Sequence, residues 1–407
     1  MANCKNCGRE LPNFSAGESS DLCSECLSNN IEVLPPQTQP RRVVLPRRRV
    51  TQVIIGINVM VYLAMVMSGA SPVEPTNAQL LQFGATWGPA SLGAQPWRLL
   101  TSNYVHVGII HIALSMWCLW DLGALSELIF GAPAYFLIYL LCGLGGSIAS
   151  AWWHPMVVGA GASGAIFGLA GVLIAAIYLG HLPFPKEALK RTLRSLFVFA
   201  GYNLFFGAVV AHVDNSAHIG GLVTGLVIGA LLASRLHDTP GVRLRWARLM
   251  LSGVAVFLLA AFVQVKRVNG YVVPLGQAVT ALQQGKIDDA IAAMERATVD
   301  NPKEPTSFFL LGSAYLEKDE FAKAETTLQK AIDLKPGYFG AQFNLGLAQM
   351  KLGKQDQAAQ SLQAATRSDP KNPDAYQALA EVLHAQGKNT EADAAMQKAQ
   401  SLRRSGN

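Results

Sequence analysis

The sequence predicts an all-α chain in three parts: a small cysteine knuckle, a polytopic bundle of membrane helices and a C-terminal α-solenoid. Three observations carry that expectation. Seven apolar stretches of bilayer-spanning length lie between residues 50 and 265, two CxxC pairs stand before them, and a 34-residue repeat follows them. The chain has 407 residues, 51% hydrophobic and only 15% charged, enough for two to four domains.

The seven stretches fall near 50–67, 109–128, 134–153, 162–180, 195–212, 216–234 and 246–265. Each has the roughly 17–25 apolar residues that a helix needs to cross a hydrocarbon core. The first 49 residues are polar and rich in Cys, Pro and Arg, so no cleavable leader is expected. Charge sets the expected orientation. With the N-terminus cytoplasmic, inside loops carry Arg41, Arg42, Arg47, Arg48, Arg49, Lys186, Lys190, Arg191, Arg194, Arg235, Arg243, Arg245 and Arg248, whereas outside loops carry Arg98, Lys266 and Arg267. That bias follows the positive-inside rule, and with seven spans it sends the chain beyond about 268 to the outside. Because the positive residues cluster at membrane edges, the formal net charge of +6 is no sign of a nucleic-acid partner. An integral, multi-pass protein of a plasma or inner membrane is expected, with the bilayer as one partner.

The knuckle is expected over 1–30. Cys4 and Cys7, then Cys23 and Cys26, offer four thiolates from two tight turns, a tetrahedral cage for a structural zinc with no coordination position left open for catalysis. A segment this short builds no core of its own, so the metal would supply its folding energy. Two disulfides are the alternative, disfavoured in a reducing cytoplasm. A basic, proline-rich linker follows over 31–49.

At the other end, Ala278, Gly312, Gly346 and Ala380 share a register, as do Ala290, Ala324, Ala358 and Ala392, and Ala297, Ala331, Ala365 and Ala399. Pro302, Pro336 and Pro370 close three of the units. Small residues in these columns let the helices of a hairpin, and then successive hairpins, pack closely. The period and columns resemble the tetratricopeptide repeat over 270–404. Such arrays bind peptides or proteins in a concave groove, with a structural spacer as the alternative.

Chemistry is left to the membrane part. Ser163 opens the fourth span in "GASG", His218 the sixth in "NSAHIGG", and His106 and His111 the second in "NYVHVGIIHIALS". Even-numbered spans start on the same side, so all four groups lie in the first turns at one leaflet. Alone, the serine would be packing glue and each histidine a structural hydrogen bonder; four at one depth point to a shared wet cavity. Gly221, Gly225 and Gly229 form a small-xxx-small ridge facing the smooth surface of Gly161, Gly164, Gly168 and Gly171. That packing is expected to bring Ser163 within reach of His218. An imidazole can take the serine proton and return it to a leaving amine, while N–H groups at a helix start favour the oxyanion. Asp214 is expected to cap the helix bearing His218. Asp121 has no assigned role, Cys118 and Cys142 read as core, and His154, His181, His212, His237 and His384 belong to no visible constellation.

"GASG", "AHIGG" and "HVGIIH", with "WR" at 97–98 before them, resemble the rhomboid intramembrane serine proteases over residues 50–265. The resemblance implies a six-helix core at 50–236, with 246–265 as an appended span. It implies a Ser163–His218 dyad without an acid and without a catalytic cofactor, cleaving transmembrane protein substrates. Trp97 and Arg98 match a structural motif of the first outer loop, and Glu127 and Gly131 an ExxxG element. Where the family has an Asn after its two histidines, this chain has Ser115, a shorter donor beside His111 and His106 for the oxyanion. The competing expectation is a catalytically weak or inactive rhomboid-like scaffold that binds membrane proteins.

Overall fold

A computed structural model describes residues 3–5, 7–10, 23, 25–26, 48–180, 182, 185–209 and 214–405. The linker expectation over 31–47, His181 and His212 lie outside the described residues. The chain divides at residue 47 into two compact units. The described residues hold helices and no strand, with isolated bridges only at Asn3–Glu10 and Thr86–Gly159.

The larger unit begins with α1 (Arg49–Met67). Short helices follow in the loop after it: α2 (Asn77–Gln82), α3 (Gly88–Ser91) and α4 (Arg98–Thr101). The bundle continues with α5 (Ile109–Phe130), α6 (Ala132–Trp153), α7 (Ser163–Leu179), α8 (Lys186–Val209), α9 (Asn215–Ala233) and α10 (Pro240–Asn269). Each expected span thus has its helix. Five of them, α1, α5, α6, α9 and α10, are long and apolar enough to cross a membrane, and α7 is a shorter apolar helix of 17 residues. Two helices outrun the expected stretches. α8 starts at Lys186 because "KEALKR" consists mostly of good helix formers that hydropathy alone discards. α10 runs for 30 residues, about 45 Å at ~1.5 Å per residue.

The bundle centre is α7, where Ala165, Leu169, Ala170, Val172, Leu173 and Ala176 are fully buried. Its neighbour α9 approaches backbone to backbone. A Cβ at Gly221 would sit 1.9 Å from the Gly164 carbonyl oxygen, one at Gly225 1.9 Å from that of Gly168, and one at Gly229 2.6 Å from that of Val172. Three successive turns are therefore closed to any side chain. On the other flank Gly145 and Gly146 of α6 meet Thr224 and Ala217 of α9 with the same closeness. Between helices in lipid, where no hydrophobic gain separates packed from unpacked surfaces, such contact is the main source of association.

After α10 come four helical hairpins: α11 (Val272–Gln283) with α12 (Ile287–Asp300), α13 (Pro305–Glu317) with α14 (Phe321–Leu334), α15 (Phe339–Lys351) with α16 (Gln355–Ser368), and α17 (Pro373–Ala385) with α18 (Asn389–Ser405). The small-residue columns are buried at every repeat; Gly312 receives Leu328 and, one repeat on, Gly346 receives Leu362. The inner turns of the hairpins reverse at Gly285, Gly353 and Gly387, each in the left-handed region. Asp319 occupies that column in the second hairpin at φ 61°, a conformation that short polar side chains tolerate.

The solenoid is joined to the bundle by packing as well as by chain. Val272 is wholly buried in the bundle core, and Gly276 of α11 abuts Pro89 of α3 so closely that a Cβ there would lie 2.2 Å from the proline.

Substituting Gly221 by Val is expected to destabilise the bundle by about 3 kcal/mol or more, since the obstructing atoms are backbone. Gly253→Ala on α10, where a Cβ meets open space, is expected to be neutral or mildly stabilising. Unfolding of the detergent-solubilised variants measures both.

Candidate active site

The candidate site lies where α5, α7 and α9 start. α7 opens with Ala162 as N-cap, which makes no side-chain hydrogen bond, so the first-turn N–H groups of Ser163 and Gly164 are uncapped by any side chain. The Gly161 N–H is already committed to the Ser102 carbonyl at 2.9 Å. Gly161 itself has φ +133°, and a Cβ there would lie 2.6 Å from Cε1 of His111. Only glycine lets that imidazole reach the segment leading into Ser163. His111 Nδ1 accepts the Val107 N–H at 3.4 Å, which assigns the ring proton to Nε2 and makes that nitrogen a donor.

His218 lies on the first turn of α9, buried to 7% exposure. Its ring stacks on Phe167, centroids 4.3 Å apart and planes at 7°, and its Nδ1 is 3.3 Å from Asn215 Oδ1. Phe167 is four residues after Ser163, on the same face of α7. His218 therefore packs against the α7 face that bears the serine. Among the described residues no hydrogen bond joins Ser163 to His218. With Nδ1 held by Asn215, Nε2 is the nitrogen free to face a serine hydroxyl.

His106 is fully buried 5.2 Å from the His111 ring, and neither of its nitrogens has a hydrogen-bond partner among the described residues. Ser115 is buried one turn after His111 on α5. The rest of the expected set lies away from these groups and holds loops. Arg98 donates to the carbonyls of Leu81 (2.7 Å) and Ala85 (3.0 Å) and bonds the Gln95 side chain, tying the loop between α1 and α5; it also lies 4.8 Å over the Trp97 ring. Glu127 sits at the opposite end, accepting from the N–H groups of Val50 (3.1 Å) and Thr51 (3.0 Å) and from the Thr51 hydroxyl (2.8 Å). It caps α1, where a carboxylate meets both orphan donors and the positive end of the helix. Gly131, at φ 81°, makes the reversal from α5 to α6. Asp214 caps α9 through Ser216 N (3.0 Å) and Ala217 N (3.4 Å). Asp121 is exposed on α5.

Some participants escaped sequence reading. Phe167 looked like one more apolar residue of α7, and its i+4 spacing from Ser163 was the available signal. Asn269, which donates to the Ala151 (3.0 Å) and Trp152 (2.8 Å) carbonyls at the end of α6, stands at the end of an apolar run and gave none.

In the small unit, Sγ atoms of Cys4, Cys7, Cys23 and Cys26 all lie within 4.8 Å of one another, and all four cysteines are free of disulfides. Cys7 and Cys23 are 3.5 Å apart at sulfur, and the Cys23 N–H points to Cys4 Sγ at 3.2 Å. Tetrahedral zinc with bonds of about 2.3 Å separates its sulfurs by roughly 3.8 Å, so the set fits a metal ion.

A family model described as the rhomboid domain matches residues 93–235, and one described as the tetratricopeptide repeat matches 275–339 and 343–407. The chain is 32% identical over 302 residues to rhomboid protease GluP of Bacillus subtilis (strain 168), covering 66% of this chain and 58% of that relative. It is 29% identical over 236 residues to rhomboid protease AarA of Providencia stuartii, covering 52% of this chain and 81% of that one. Among solved structures, MamA aligns with 34% of this chain and 79% of its own, at 26% identity and a TM-score of 0.32. The chain thus spans little more than half the length of GluP. It is an integral membrane protein that carries a rhomboid domain followed by tetratricopeptide repeats, and it is similar to rhomboid proteases.

Proposed function

We propose that the chain is an intramembrane serine endopeptidase, hydrolysing peptide bonds in or near transmembrane segments of other proteins. The observation that carries this reading is the interlock of α7 and α9: glycine contacts at Gly221 and Gly225 seat the His218 ring against Phe167, on the face of α7 that bears Ser163. A locally unwound substrate backbone would meet these helix starts beside α5. The Ser163 hydroxyl attacks the carbonyl carbon while His218 Nε2 accepts its proton, and the same imidazole then protonates the leaving amine. The oxyanion meets the uncapped Ser163 N–H, the Nε2–H of His111 and, more weakly, the Ser115 hydroxyl. Water then releases the acyl group by the same proton path in reverse. The closely packed glycine faces hold these groups before substrate arrives, which is where electrostatic catalysis gains most.

In this reading the N-terminal unit is cytoplasmic and carries a structural zinc on Cys4, Cys7, Cys23 and Cys26. The repeat array is extracytoplasmic and binds protein or peptide segments. The thirteen-to-three excess of positive residues on one side supports that orientation. So does the contact of Gly276 with Pro89, because α3 belongs to the loop between α1 and α5, the loop that leads into His106 and His111.

With purified protein and a labelled transmembrane substrate, Ser163→Ala and His218→Ala are each expected to lower kcat by about 10⁴-fold or more. Turnover equal to wild type in Ser163→Ala would rule out Ser163 as the nucleophile, and no cleavage by either form would leave a membrane scaffold as the remaining reading. Protease added outside intact cells is expected to digest residues 270–404 and spare the first 47. Chelation is expected to release zinc and open the N-terminal unit to proteolysis while the cleavage rate in detergent is unchanged, since no cysteine ligand belongs to the proposed catalytic group.

A further inference from the structure

His154 was left without a partner by the sequence. In the fold it stands at the C-terminal end of α6, where its N–H donates to the Ser150 carbonyl at 2.8 Å. Its imidazole crosses to the start of α9, with Nδ1 3.3 Å from Ser216 Oγ and 3.7 Å from Asp214 Oδ1. Those two residues form the cap of α9: one Asp214 oxygen receives Ser216 N, Ala217 N and the Ser216 hydroxyl. Among the described residues, His154 is the group from another helix that pairs with this cap. Asn215, between the two cap residues, holds Nδ1 of His218 and donates to the Leu204 carbonyl of α8 at 2.9 Å.

The arrangement is a relay of position. The cap sets the entry angle of α9, the entry angle sets Asn215, and Asn215 sets the rotation of the His218 ring. We propose that His154 is a positioning residue of the hydrolase: by pairing with the Asp214–Ser216 cap it holds the first turn of α9 so that His218 Nε2 points at Ser163. This rests on the Ser163–His218 reading. His154 touches none of the proposed reacting atoms, so its removal acts on geometry. A displacement near 1 Å at a general base costs up to about 100-fold in rate.

The test uses the full chain in detergent with a labelled transmembrane substrate. His154→Ala is expected to lower kcat by about 10- to 100-fold with KM within about twofold, because the loss falls on the chemical step and not on binding. His154→Gln, which keeps an N–H donor toward the cap, is expected to retain most of kcat. The His154 side chain is 56% exposed, so millimolar imidazole can enter the space left by His154→Ala and restore its rate. In a double-mutant cycle with Asp214→Asn, the double variant is expected to be no slower than the slower single one, as for two groups acting through one contact. Recovery with imidazole or such non-additivity supports the proposal, even where the single variants fold less well. Undiminished kcat in His154→Ala overturns it. So does a loss that imidazole leaves untouched and that multiplies with Asp214→Asn. Cleavage by Ser163→Ala in the same assay would instead remove the hydrolase reading beneath it.

Discussion

The structure depends on one constraint: two helix backbones in near-atomic contact inside a membrane. Carbonyl oxygens of Gly164, Gly168 and Val172 occupy the volume that side chains would fill at Gly221, Gly225 and Gly229. In water such a seam would be one contribution among many. In hydrocarbon the exposed and packed surfaces are both apolar, so closeness of fit and its dispersion energy set which helices pair. The seam also decides what faces what. Because α9 is locked in register with α7, the residue before the ridge, His218, has no freedom to turn to another helix. Placement of the candidate base follows from packing, and a polar network at the helix starts only refines it.

The helix ends on this side are tied together by polar contacts. The end of α6 alone receives Asn269 from α10 on its last carbonyls, passes His154 to the cap of α9, and gives the Pro155 carbonyl to the Gly88 N–H at 2.8 Å. At the opposite end Glu127 holds α1 by its first N–H groups. Buried backbone donors and carbonyls in a membrane have no water to turn to, so each such end needs a partner from the protein.

Much of this was legible in the sequence. A helix covers each of the seven apolar stretches, and five of those helices are long and apolar enough to cross a bilayer, because the bilayer acts on composition, residue by residue. The repeat columns were legible because an Ala or Gly every 34 residues is a packing requirement that no other residue meets. Boundaries were less so. Hydropathy reports where lipid begins, and backbone hydrogen bonding does not stop there, so α8 runs back to Lys186 and α10 on to Asn269. At the site, Ser163, His111 and His218 stood out through their neighbours in sequence. Phe167, His154 and Asn269 did not, because each acts on a helix far away along the chain, and spacing says nothing of such partners. Asp214 was legible as a cap since capping is local; that its carboxylate also answers to His154 required the fold.

The passage from α10 to the repeats leaves little slack. Helix α10 ends at Asn269, α11 begins at Val272, Val272 is sealed in the bundle core, and Gly276 lies flush on Pro89. A flexible tether would let the array sample a sphere and raise local concentration without regard to direction. A stiff mount behaves as a ruler instead. On the proposed reading, a polypeptide held by the repeats would offer to the bilayer only those residues that lie a set contour length away, and distance along that chain would become a selection rule independent of its composition.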